Sequence, residues 1–374
     1  MRLLIVTQKL YKNDDLLGFM HGWVAEFSKQ FESIIVVALG VGLPCEISQG
    51  DNFSERKIIS QEDYHLPKNV KVLSLGKEQY LNHSSAIRKL VSLYRFYKYI
   101  FQYKGEYDSV FVHMNREYML LGGLFWRLWG KKTALWYNHG TGNILSSLAG
   151  FLAQKIFCTS PFSFFAKWPK TSLMPAGINT DIFKKDEKIQ PTKNSILFLS
   201  RISPIKGLHL LVEAVNLLDK EGIDFVLNVV GEAGENDKEY FKKLKDSVSN
   251  LEQKGKIKFW GKIPNYKTPE VYNQNEVIVN LTESGSFDKI ILEAMACEKL
   301  VLVCNKSFLE ILPDALSQAL FFEEGNIADL KNKLINILNG TQSPAVGKQL
   351  REIVLKKHSL TFLSQRLSEF FAPK

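Results

Sequence analysis

Short β-branched apolar runs alternate with amphipathic stretches along most of the chain. Leu3–Thr7 reads as a buried strand. A polar stretch from Lys9 to Leu17 ends at Gly18. Phe19, Trp23, Phe27 and Phe31 then recur every four residues, which predicts a helix with one apolar stripe. Ile34–Leu39 is a second strand, and strand–helix–strand in this order predicts a parallel sheet. Further strands are expected at Lys57–Ser60, Val70–Leu75, Ser109–Met114, Lys132–Tyr137 and Ile156–Ser160. Helices are expected at Ser84–Tyr103, Tyr118–Trp129 and Ile144–Gln154, with a short helical turn at Ser163–Lys167.

Thr171 to Gly177 leads into residues 179–194, which are polar, charged and without period, and read as a linker. A second alternating series follows. Its strands are Ile196–Ser200, Phe225–Gly231, Ile257–Trp260, Val277–Leu281, Leu300–Cys304 and a short Leu320–Phe322. Its helices are Gly207–Lys220, Lys238–Gln253, Pro269–Asn275 and Ile327–Leu338, with Ala345–Lys356 and Leu360–Phe371 at the end. Two doubly wound α/β domains are the expectation, with ligands at the carboxyl ends of the strands.

Composition adds bounds. At 374 residues the chain exceeds one ordinary core, and 45% hydrophobic with 23% charged residues is the balance of a soluble globular protein. The net charge of +9 favours anionic partners. The four cysteines (Cys45, Cys158, Cys297, Cys304) are scattered and read as buried thiols of a reducing compartment. The apolar run Tyr118 to Trp126 stops at Arg127, short of a membrane span, and the start is too short for a signal peptide. A cytoplasmic location is expected.

Chemistry concentrates where the strand ending at Leu281 meets the helix carrying Glu293. The turn Thr282-Glu283-Ser284-Gly285-Ser286 opens onto Phe287-Asp288-Lys289-Ile290 and the helix, with Ser286 or Asp288 able to cap it. A glycine turn at a helix N-terminus suits a phosphate, and Glu293 about two turns in can accept bonds from sugar hydroxyls. An ordinary βα unit with a surface glutamate has the same pattern. Beside it, Arg201-Ile202-Ser203-Pro204-Ile205-Lys206-Gly207 follows a strand and places two cations where a diphosphate could sit. A solvated basic loop reads the same way.

Taken together, the order Arg-x4-Lys-Gly, Val230-Gly231-Glu232, Trp260-Gly261-Lys262-Ile263-Pro264 and Glu293-Ala294-Met295-Ala296 resembles retaining glycosyltransferase family 4, the glycosyl transferases group 1. The likeness covers about residues 170 to 330 well, the N-terminal half more loosely. It implies the GT-B fold: α/β, two Rossmann-like doubly wound domains facing each other across a cleft. Residues 1–178 would be the acceptor-side domain and 179–355 the nucleotide-sugar domain. Residues 356–374 would be a C-terminal helix able to cross back to the first. By resemblance, Arg201 and Lys206 would hold the diphosphate of a nucleoside-diphosphate sugar. Glu293, the second glutamate of a Glu-x7-Glu motif, would bind the ribose. Gly285, Ser286, Phe287, Asp288, Lys289 and Ile290 would meet the distal phosphate or sugar, with Gly231 and Ile263 also on the donor side. The first glutamate of that motif falls at Gly285, so Glu283 or Asp288 would stand in for it.

In the N-terminal half His113, at a strand's carboxyl end, corresponds to a histidine near the donor sugar in the family, and a core or loop histidine is the plain alternative. His139, with Thr141 and Asn143, is a second strand-end candidate. Gly18 and Asp14 or Asp15 are weaker ones in the first loop, which lacks the family's Gly-Gly. His65, His83, His209 and His358 are read as incidental. No cofactor and no metal set is expected, and Lys and Arg would neutralise the leaving diphosphate. The function implied is a metal-independent, retaining hexosyltransferase-type enzyme acting on a glycan, lipid-linked or other envelope acceptor. A nucleotide-sugar epimerase of the same fold, or a non-catalytic nucleotide-sugar-binding protein, is the alternative. The basic helix 84–103 can touch an anionic membrane or simply cover the sheet. No nucleic-acid motif is seen.

Overall fold

A computed structural model gives the fold and describes residues 1–14, 17–41, 65–77, 84–285, 287–340 and 344–372. The expected strand Lys57–Ser60 and residues Asp15, Cys45, His83 and Ser286 lie outside them. The chain divides into two compact units. The first is Met1–Thr159, Ser163–Met174 and Leu363–Lys374; the second is Ser160–Phe162 and Pro175–Phe362.

The first unit holds strands β1 (Arg2–Leu10), β2 (Ser33–Val41), β3 (Val70–Ser74), β4 (Ser109–His113), β5 (Lys132–Trp136), β6 (Lys155–Cys158) and β7 (Thr171–Leu173). They pair in the order β3-β2-β1-β4-β5-β6-β7, every neighbour parallel. The stretches Leu3–Val6 of β1, Ile34–Ala38 of β2 and Val110–Val112 of β4 are buried on both faces, which is why they read as unbroken apolar runs. Helices α1 (Phe19–Phe27), α2 (Ser85–Gln102), α3 (Arg116–Leu128) and α4 (Ile144–Leu152) connect them. The recurrent aromatics of α1 are its buried face, with Met20, Trp23, Val24 and Phe27 inside. Residues 163–167 form turns instead of the expected helical turn. Ser163 and Phe164 spend their donors on the carbonyls of Tyr137 and His139, and Ala166 N–H reaches back only three residues.

The second unit holds β8 (Ser195–Leu199), β9 (Val226–Val230), β10 (Ile257–Gly261), β11 (Val277–Asn280) and β12 (Leu300–Val303), all parallel, in the order β10-β9-β8-β11-β12. Its helices are α5 (Leu208–Lys220), α6 (Lys238–Ser247), α7 (Ser249–Gln253), α8 (Thr268–Asn273), α9 (Lys289–Ala296), α10 (Asp314–Leu320), α11 (Ile327–Leu338) and α12 (Pro344–Lys357). The single helix expected at Lys238–Gln253 breaks at Val248, whose backbone leaves the helical region and buries its side chain beside Leu244 and Leu251. The expected strand Leu320–Phe322 is one bridge from Phe321 to Val303, and α10, not expected, precedes it. Helix α13 (Leu360–Phe371) ends in the first unit, where Phe370 meets Phe157 edge-on at 5.5 Å.

In both sheets the strand order reverses beside the first strand, between β1 and β4 and between β8 and β11. The loops leaving such a pair diverge to opposite faces and open a crevice at the carboxyl ends.

Candidate functional site

The reversal between β8 and β11 gathers most of the expected donor-side residues. After β8 the chain passes Arg201, turns through Pro204–Lys206 and enters α5. Strand β11 ends at Asn280, and the chain then passes Thr282 and enters α9 at Lys289. Arg201 is exposed and has no ion-pair partner among the described residues. Lys206 is held: its Nζ donates to Asp288 Oδ1 at 2.9 Å and Oδ2 at 2.8 Å, and to Thr282 Oγ1 at 3.1 Å. Asp288 also accepts from Asn280 Nδ2 at 3.0 Å and from the Thr282 hydroxyl. Burial alone would push the Asp288 carboxyl up. The Lys206 charge, with the hydrogen bonds from Lys206, Thr282 and Asn280, outweighs it and holds the group below the usual carboxylate range.

This cluster corrects one expectation. Asp288 occupies the N-cap position of α9 but makes no side-chain cap bond, because its oxygens are taken by Lys206, Thr282 and Asn280. The side-chain capping expected of Asp288 is therefore not made, and Ser286 lies outside the described residues. Asn280 and Thr282 were missed in the sequence. Their signal was there: two polar residues closing a buried strand need partners.

Glu293 is 4% exposed, faces inward, and accepts from Tyr272 Oη at 2.9 Å and from Asn265 Nδ2 at 3.4 Å. Burial raises its pKa against those bonds and the attraction of Lys289. Burial also raises Tyr272 well above the usual phenol range, with Glu293 adding to it. Glu293 thus ties α9 to α8 and to the loop after β10. Lys289, at the first turn of α9, is drawn well below the ordinary lysine range by burial, with Glu293 pulling it back. Ile263 packs against the core from that loop, and Phe287 stacks on Phe308 at 5.2 Å. Ile290 is half-buried on the same core.

Two glycines are required by the backbone. At Gly231 φ is +140°, and a Cβ would stand 1.9 Å from the Ser200 carbonyl oxygen, so the loops after β8 and β9 meet only over a glycine. At Gly285 φ is +113°, a conformation that a glutamate would adopt only under strain. The departure from Glu-x7-Glu therefore has a backbone counterpart. Glu283 is exposed, and its loop is pinned by Asn305 Nδ2 on the Glu283 carbonyl at 3.0 Å and by Ser284 on Glu324 at 3.1 Å.

In the first unit, His113 does not present an open edge. It is 3% exposed, enclosed by Phe19, Trp23, Phe111 and Trp136 with ring centroids 5.6 to 6.3 Å away. The residue after it, Met114, has φ +62°, an uncommon value for a side-chain-bearing residue. Gly18 sits at the start of α1 with φ −56°, ordinary for any residue. Asp14 is buried, paired with Lys9, and accepts from Leu17 N–H at 2.7 Å. His139, Thr141 and Asn143 do come together. With Met114, Arg116, Glu117, Tyr137 and Gly142 they line a pocket of about 390 Å³. Desolvation and the charge of Arg116 hold His139 below the usual histidine range. Arg116, missed in the sequence, donates to Asn143 Oδ1 at 2.9 Å. His358 is a framework residue: its Nδ1 accepts from Ala176 N–H at 3.4 Å, and burial lowers its pKa to about 4.

Comparison with known proteins follows the same division. Residues 179–352 match the family described as glycosyl transferases group 1. A stretch of 180 residues is 23% identical to the phosphatidylinositol N-acetylglucosaminyltransferase GPI3 subunit of Saccharomyces cerevisiae (strain YJM789), over 45% of this chain and 38% of that protein. Another of 211 residues is 25% identical to the lipopolysaccharide 1,2-N-acetylglucosaminetransferase of Salmonella typhimurium, over 53% of this chain and 55% of that protein. The chain thus matches between 38% and 55% of the length of these relatives. The crystal structure of Anabaena Alr3699/HepE in complex with UDP is similar over 99% of both chains, with a TM-score of 0.73 and 16% identity. Residues 179–352 are thus similar to the glycosyl transferases group 1, and the fold of the chain is GT-B.

Proposed function

We propose that the chain is a retaining glycosyltransferase that moves a sugar from a nucleoside-diphosphate sugar to a glycan, lipid-linked or other envelope acceptor. The observation that carries this reading is the cluster at the β8/β11 reversal: Arg201 exposed, and Lys206 half-buried and ordered by Asp288 and Thr282. In a site partly removed from water, fixed cations and the N-terminus of α9 stabilise charge growing on a departing diphosphate. On this reading Arg201 grips the diphosphate with its planar fork, and Lys206 supplies a charge already oriented. Asp288 keeps that ammonium in place and compensates it before the donor arrives. Glu293 acts by bracing Asn265 and the loop after β10, and reaches the ribose from the same turn of α9. The chemistry runs without a metal in this proposal, the lysine and arginine taking that part.

The test is a thermal-shift screen of UDP- and GDP-sugars, beginning with UDP-sugars because UDP is the nucleotide held in the Anabaena structure. A donor should raise the melting temperature, and Arg201→Ala should weaken it about ten-fold or more with little change in the melting temperature of the free protein. Donor turnover that needs an acceptor and survives a chelator supports transfer. Conversion of the donor alone identifies an epimerase, and the absence of binding by every donor overturns the proposal.

A further inference from the structure

Helix α4 reads Ile144-Leu145-Ser146-Ser147-Leu148-Ala149-Gly150-Phe151-Leu152, and it lies with an apolar face in water. Ile144 is 86% exposed, Phe151 64%, Leu145 51% and Leu148 48%, while Ser146, Ala149 and Gly150 are buried. At 3.6 residues per turn the four exposed side chains fall on one arc of roughly 120°. A surface helix of a globular unit ordinarily turns its polar side outward. The neighbouring α3 packs on α4 and adds Leu124 at 57% and Leu128 at 73% exposure. Helix α2 meets α3 from the other side, Phe101 lying 5.3 Å from Phe125 and 4.9 Å from Trp129. It adds the exposed Leu90, Tyr94 and Phe101. Single exposed apolar residues are unremarkable, but a patch running across three adjacent helices is not.

The charges on these helices are predominantly positive. Helices α2, α3 and α4 carry Arg88, Lys89, Arg95, Lys98, Arg116 and Arg127 against one carboxylate, Glu117. At the end of α4, Arg127 and Lys170 each donate to the Phe151 carbonyl at 3.3 Å, and Lys170 also to the Ala153 carbonyl at 2.6 Å. These cations are fixed on carbonyls, so their charge stays available. Trp168 lies 5.2 Å from Phe151, beside the exposed Lys167.

We infer that the α2–α3–α4 face docks this chain on an anionic lipid bilayer, with α4 as the element that enters the interface. The apolar arc of α4 and Leu124 and Leu128 lie in the acyl boundary, and the surrounding cations meet headgroup phosphates. Trp168 takes the headgroup level, where indole rings settle. The charge decides for a lipid over a second copy of the chain, since two such faces would set like charges against each other. The polar pocket lined by His139 and Asn143 opens where α4 begins, because Asn143 caps that helix. Docking through α4 therefore brings a pocket of headgroup-compatible chemistry to the membrane surface. In this arrangement α2 supplies charge and α4 the insertion.

The full chain is sedimented with mixed phosphatidylglycerol–phosphatidylcholine vesicles and with phosphatidylcholine vesicles. It should pellet with the mixed vesicles, less with the neutral ones, and progressively less as salt rises. Leu148→Ser with Phe151→Ser should lower the partition about ten-fold or more, and Arg127→Gln with Lys170→Gln should weaken the anionic preference. If the double serine variant melts early, Ile144→Ser, at the most exposed position of the arc, replaces it. The inference is overturned if the protein stays in the supernatant with both vesicles or if the serine variants pellet as the parent does. A dimer in solution that Ile144→Ser dissolves overturns it too, the face then belonging to a second copy. The readout needs no donor or turnover, so it stands or falls apart from the glycosyltransferase reading.

Discussion

The two reversal points of this molecule share a strand order and differ in what fills them. Between β8 and β11 a lysine reaches across from one loop to the aspartate of the other, with Asn280 and Thr282 completing the network. Between β1 and β4 the chain closes an aromatic box on His113, and its lysine–aspartate pair, Lys9 with Asp14, stays within one strand end and its loop. Lys206 is 16% exposed and Lys9 46%. Topology makes a crevice in both places, and side chains decide its use. The second unit's crevice is built around charge, whereas at the corresponding strands of the first unit a ring is held in packing.

The sharpest way to break the comparison is Gly231→Ala. A Cβ there collides with the Ser200 carbonyl at 1.9 Å and meets a φ of +140°, so the loss should reach about 4 kcal/mol or more, read by denaturant unfolding. Next comes His113. His113→Ala should cost about 3 kcal/mol through lost packing, and His113→Phe about 1 kcal/mol or less. If His113→Phe keeps both stability and turnover, the ring serves packing; if turnover alone falls, it serves the reaction.

Lys206→Ala leaves the Asp288 carboxylate without its cation and should cost about 2 kcal/mol, whereas Lys9→Ala should cost about 1 kcal/mol, because the Lys9 ammonium is 46% exposed and Asp14 keeps the Leu17 N–H. Equal losses in thermal melts would erase the distinction between the two pairs.

The smallest effect separates two carboxylates of one site by sign. Asp288 is held below the carboxylate range, so the stability it lends is present above its unfolded value, about 3.9, and is lost as pH falls through the folded one. Glu293 is raised, so its contribution is present below its unfolded value, about 4.3, and is lost as pH rises through the folded one. Melting curves across this range should show Asp288→Asn less acid-sensitive than the parent. Glu293→Gln should gain on the parent as pH rises. Shifts of the same sign in both variants would contradict the assignment.

Much of the fold was legible because strand and helix periods are local. Helix α11 at Ile327–Leu338 and α13 at Leu360–Phe371 begin and end where their apolar spacing does. The misses have tertiary causes. Val248 breaks a helix to bury itself, and the Ser163–Lys167 turns form because their donors are claimed by a neighbouring segment. Among the candidate residues, Arg201 and Lys206 were visible as cations after a strand. That Asp288 would bind Lys206 was not, since their 82-residue separation closes only when β8 and β11 pair. Glu293 was visible as a carboxylate on α9, yet its inward turn toward Tyr272 depends on where α8 lies.

By itself the sequence determined the alternation of strands and helices, the glycines that the turns demand and the family likeness of residues 179–352, because each rests on neighbours along the chain. The tertiary structure alone decided which polar groups neutralise one another, that His113 is boxed in by rings, and that α4 keeps its apolar face outside. Burial and pairing are properties of what packs from elsewhere in the chain, and no local pattern encodes that partner.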